Sequence, residues 1–159
     1  MKSSSPPPSA TGWRRSAAST GLTLGGLTFS LDYQRLLVGE TDEGTLQVLD
    51  VAADGRLSPP RLLRAGVAAP EALITDDCGH VYVLSENDGR VRRLRDAAAA
   101  LEAPPGPLET VADLDEPYLW SFSFGSGQRG WSALSLYVLD AAAGHFYELP
   151  VGAAAQPAP

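Results

Sequence analysis

Three glycines, Gly125, Gly127 and Gly130, fit G-x-G-x-x-G. Such a loop cradles a pyrophosphate when a helix follows it, because the helix N-terminus then faces the anion. Here Trp131–Asp140 reads as a strand, and too little chain remains for a βαβ unit, so the glycines mark a long connection between strands. His80 and His145 could bind zinc together, but each follows a glycine at the start of a strand. They read as equivalent positions in different repeats, which lie radially apart. Cys78, in Asp-Asp-Cys-Gly-His, has only His80 as a basic neighbour and reads as a turn residue, since a reactive thiolate needs an electropositive setting. Ser121, His145 and an Asp contain the atoms of a hydrolytic triad, but nothing in the sequence positions them, and G-x-S-x-G is absent. Arg90, Arg92, Arg93 and Arg95 form a basic run that strand alternation splits between two faces, leaving no continuous phosphate track. Asp113, Asp115 and Glu116, before Pro117, read as a solvated loop.

The elements that must position these groups follow from composition and repetition. The chain has 159 residues, net charge −7, one cysteine, 16 Gly and 13 Pro, with 44% hydrophobic residues. High Gly and Pro favour turn-rich β structure. The acidic balance excludes a nucleic-acid footprint, and no apolar run is long enough for a membrane helix. The single cysteine excludes an intrachain disulfide framework and a cysteine-rich zinc site.

Three segments share one plan. The first has strand-like runs at 26–30, 35–41 and 45–51, with a turn at Asp42-Glu43-Gly44. The second has 72–76, 80–86 and 90–96, with a turn at Asn87-Asp88-Gly89. The third has 121–125, 134–140 and 145–151. Candidate fourth strands lie at 61–66 and 108–114, behind proline-rich loops. The pairs Leu37-Val38, Tyr82-Val83 and Tyr137-Val138 recur after 45 and 55 residues. Four strands per repeat of about 40–50 residues is the pattern of a β-propeller blade. The expected fold is therefore all-β, about three four-stranded antiparallel blades forming part of a ring. The expected repeats are 22–66, 67–114 and 118–152, between a disordered Ser/Pro-rich tail at 1–20 and a short tail at 153–159. Trp120, Trp131, Phe122 and Phe124 are expected to pack between blades, and the alanines at 97–100 to form a loop insertion.

The segments 25–41 (GGLTFSLDYQRLLVGET), 70–94 (PEALITDDCGHVYVLSENDGRVRRL) and 121–152 (SFSFGSGQRGWSALSLYVLDAAAGHFYELPVG) resemble, in order and spacing, the gluconolactonase and senescence-marker-protein (regucalcin-like) propellers. The resemblance implies a six-bladed ring, of which residues 22–152 match the C-terminal half. It also implies a divalent metal, calcium or zinc, held by carboxylate and amide side chains in the central channel. There the metal polarises a lactone carbonyl while an acid acts as base. Carried over residue by residue, the family's ligand and base in Pro-Asp-Gly falls on Glu71, one methylene longer, and is the one catalytic and metal-ligating candidate. The amide ligand in Pro-Asn-Gly falls on Gly25, which has no side chain. The remaining ligand and the substrate-binding residues belong to blades outside this sequence.

The resemblance therefore implies a small-lactone or ester hydrolase that is incomplete and weak or inactive as this chain. A non-catalytic interaction module, or a half-propeller completed by a second chain as a homodimer or with another partner, is the alternative. No nucleic-acid or membrane partner is expected. The N-terminal segment lacks the apolar stretch of a secretory signal, so a cytoplasmic location is expected.

Overall fold

The computed structural model describes residues 23–97, 107–115 and 118–158. The expected N-terminal tail, most of the alanine insertion and Glu116 lie outside them. Among the described residues eleven strands form three antiparallel sheets in strict sequence order. Blade 1 is β1 (Leu24–Phe29), β2 (Arg35–Glu40), β3 (Thr45–Asp50) and β4 (Arg61–Ala65). Blade 2 is β5 (Pro70–Thr75), β6 (Val81–Ser85), β7 (Arg90–Leu94) and β8 (Glu109–Asp113). Blade 3 is β9 (Leu119–Phe124), β10 (Ser135–Asp140) and β11 (Phe146–Pro150). Each expected strand is present, and the third blade has three strands. The fold is thus all-β and built from propeller blades. Among the described residues no helix is long and apolar enough to cross a membrane.

The middle strands are the most buried of their blades, and β6, in the central blade, is covered on both faces. All of β6 is buried, and its Val-Tyr-Val-Leu run carries apolar side chains to both neighbouring blades. Leu37, Leu46, Val48 and Leu63 of blade 1 meet Leu73, Val81, Val83 and Leu94 of blade 2 in one core. Tyr82, Leu84 and Val91 form a second core with Leu119, Phe122, Leu136 and Val138 of blade 3. The inner strands touch one another, β1 against β5 and β5 against β9. At the hairpins between middle and third strands, Gly44, Gly89 and Gly144 all have positive φ, at 62°, 63° and 71°. Glycine suits these sites because a Cβ would strain that backbone.

Below the blades the structure departs from the sequence reading, which leaves 153–159 as a tail. Residues 154–156 lie along the end of β5 instead. Ala155 bridges to Asp76, the Asp77 N–H donates to the Ala154 carbonyl and the Gln156 N–H to that of Thr75. The Gln156 amide donates to the Ser30 carbonyl at 2.8 Å, and Ala153 is buried. Polar backbone at the end of an inner strand needs partners, and this segment supplies them.

Candidate functional site

The inner strands run in the same sense, so their first residues gather at one end of the blades. Each of these strands carries an irregularity at the same place. Leu24 opposes Glu40 and Leu27 opposes Val38, leaving Gly25 and Gly26 against Gly39. In blade 2, Pro70 opposes Ser85 and Ala72 opposes Leu84, so Glu71 is the extra residue. In blade 3, Leu119 opposes Asp140 and Ser121 opposes Leu139, so Trp120 is extra. A β-bulge re-aims the side chain of its extra residue. Gly25, Glu71 and Trp120 are therefore equivalent positions. The structure places the implied ligand positions of blades 1 and 2 in the same register.

Glu86 joins them. It follows β6 directly, and its N–H donates to the Ala69 carbonyl, two residues before Glu71. That bond brings both carboxylates to one small pocket of about 160 Å³, lined by Glu71, Glu86, Leu119 and Trp120. Partial burial and the like charge of Glu86 push the Glu71 carboxyl above its ordinary value, and the Thr41 hydroxyl of blade 1 opposes this. The two carboxyl groups thus stand side by side at the mouth of the pocket. The sequence reading did not single out Glu86. Its signal was its place beside Gly89 in a hairpin of the same repeat, and only the fold reveals that the hairpin leans over Glu71.

Gly25 bounds the site on the other side. A Cβ there would stand 2.1 Å from the Pro70 carbonyl oxygen and 2.9 Å from Thr41 Oγ1. The backbone of blade 2 thus occupies the space that an amide ligand would need. A hard divalent cation takes about six to eight oxygens. Among the described residues two carboxylates and one hydroxyl stand here. The donors have the right chemistry, but the single chain does not complete the shell that the resemblance implies.

The other sequence candidates are dispersed. His80 and His145 are not equivalent. His80 precedes β6 at the lower end of blade 2, and His145 precedes β11 at the upper end of blade 3. The reading fails because a Gly-His step occurs in two different turns of the repeat. His80 Nδ1 accepts the Asp96 N–H at 3.0 Å, and His145 Nδ1 lies 3.8 Å from Asp140. Asp76, Asp77 and Cys78 lie close together, but Asp76 is fully occupied. It accepts from the Cys78 and His80 N–H groups at 2.9 Å and from the Tyr82 hydroxyl at 3.2 Å. Partial desolvation and the Asp76 and Asp77 charges push the Cys78 thiol up, the opposite of an activated nucleophile.

The arginine run is neutralised by its own blade. Arg90 meets Asp113, Arg92 meets Asp88, and Arg93 and Arg95 share Glu109. Gly127 and Gly130 turn a loop that leads into β10, with no helix after it. Phe122 and Phe124 pack between blades as expected. Trp120 and Trp131 do not, being 66% and 49% exposed. The bulge swings Trp120 to the pocket, and Trp131 packs on Tyr137 with ring centroids 4.7 Å apart.

No protein-family model matches the sequence, and no curated protein matches it. Solved structures match through their fold. A luciferin-regenerating enzyme superposes with TM-score 0.61 at 20% identity, covering 82% of this chain and 43% of its own. A gluconolactonase from Xanthomonas campestris gives 0.57 at 20% identity, covering 83% and 39%. Regucalcin from Agrobacterium tumefaciens, described as a calcium-binding protein, gives 0.61 at 15% identity, covering 86% and 48%. The chain shares the propeller fold of gluconolactonase and regucalcin and spans less than half the length of each of these structures.

Proposed function

We propose that Glu71 and Glu86 form part of a lactonase-type hydrolytic site for small lactones or esters, partial and weak in this single chain. The carrying observation is the carboxyl pair in a pocket walled by Trp120. The fold shared with a gluconolactonase supports the substrate class. In this reading Glu71 as carboxylate takes the proton of a water that attacks the lactone carbonyl. It then returns that proton to the ring oxygen as the bond from that oxygen to the acyl carbon breaks, giving the open hydroxy acid. Glu71, at the position of the family's base, is the base in this reading, and the exposed Trp120 ring is a face for the substrate ring to lie on.

The family's calcium or zinc would add polarisation of the carbonyl. The donors present do not complete its site, so no step is assigned to it. Titrimetric lactone hydrolysis tests the reading. A slow rate above background that drops ten-fold or more in Glu71→Gln is expected. Equal rates in both proteins would overturn it and select the second reading, a non-catalytic interaction module, which the exposed Leu27 and Leu62 of blade 1 favour.

A further inference from the structure

Among the described residues, blade 2 buries one face against blade 1 and the other against blade 3, so blades 1 and 3 each have one face without a neighbouring blade. In blades 2 and 3, Val81 with Val83 and Leu136 with Val138 pack against the preceding blade. The equivalent residues of blade 1 are Leu36 and Val38. They share a face with Leu27, Phe29, Leu49 and Leu62, as the strand registers require. At the centre of that face Val38 and Leu49 are buried, while Leu27 and Leu62 towards its edges are 59% and 66% exposed. At the other end, Tyr82, Leu84 and Val91 of blade 2 pack against the following blade. Their equivalents in blade 3 are Tyr137, Leu139 and Phe146, which share one face; Trp131 packs on Tyr137 there, and Phe146 is 66% exposed.

The chain therefore carries the two complementary halves of the contact it already makes twice internally. We propose that a second copy of this chain seats its blade 3 on blade 1 of the first, and the reverse, closing a two-copy ring. Exposed contiguous apolar surface marks an interaction site. A head-to-tail contact either closes into a ring or runs on as a filament. Two copies together match the length of one structure that shares the fold, of which this sequence covers 43% and 48%. The twofold axis then runs down the channel and brings both Glu71–Glu86 pairs round one mouth, so the site proposed above is composite. The interface rests on the blade repeat and not on the hydrolytic reading.

Light scattering and sedimentation of the 159-residue chain test it without an activity readout. The expected mass is twice 16.7 kDa across the micromolar range. Leu27→Asp on blade 1 and Phe146→Asp on blade 3 are each expected to halve the mass while leaving the circular dichroism spectrum unchanged. Should Leu27→Asp fail to fold, Leu62→Asp on the outer strand reports on the same face. A mass of 16.7 kDa at all concentrations, species larger than two copies, or a dimer that survives Phe146→Asp would each overturn the proposal.

Discussion

Gly26 of β1 lies so close to Ala72 of β5 that an added Cβ would stand 2.5 Å from the Ala72 Cα and from the Leu73 nitrogen. The contact is backbone to backbone, so no side chain can swing away. Gly26→Ala is expected to cost about 2–3 kcal/mol by overpacking. Urea unfolding would show it as a lower midpoint with an unchanged slope. Gly25→Asn, which introduces the amide of the motif that this segment resembles, is expected to destabilise the chain without creating calcium binding, because Pro70 fills the space. Calorimetry with calcium checks the second half.

Removing the acid at position 71 should stabilise the fold at neutral pH. The folded Glu71 carboxyl sits above its ordinary value of 4.5, so the folded state resists ionisation more than the unfolded chain does. The resulting penalty is absent below that value and grows as pH rises through the folded one. Glu71→Gln is therefore expected to unfold at a higher denaturant concentration than wild type at pH 7, and at the same concentration at pH 4. A variant less stable at both pH values would contradict the carboxyl pair.

Glu109 predicts the opposite pH behaviour. Hydrogen bonds from Arg95 and Arg93 lower its carboxyl from 4.5 to about 2. A lowered acid contributes stability that is present above its unfolded value and is lost as pH falls through its folded one. Thermal melts between pH 4.5 and 2 should therefore fall less steeply in Glu109→Gln than in wild type. The site is exposed, so 0.5 M salt should narrow the difference.

The lower end of the blades depends on Asp76 and the chain terminus. Asp76→Asn keeps the shape but replaces an acceptor oxygen with a donor, beside two backbone N–H groups and the Tyr82 hydroxyl. A buried polar group left unsatisfied costs about 1–3 kcal/mol. Deleting residues 153–159 should cost a comparable amount, since it strips the partners of Thr75, Asp77 and Ser30. Hydrogen exchange at the Asp77 amide would rise by the corresponding factor.

The sequence by itself determined the strands, their order and the blade repeat. These depend on local alternation and on turn glycines such as Gly44 and Gly89, which the chain writes residue by residue. It also picked out Glu71 through a motif. Only the tertiary structure decided that Glu86 leans over Glu71, that Trp120 turns to the pocket, and that Ala155 pairs with Asp76. The first two follow from a bulge and a hairpin that meet across a strand boundary. The third joins positions far apart in the chain. None of these leaves a periodic trace, because each is set by which backbone groups and surfaces remain to be satisfied once the blades have packed.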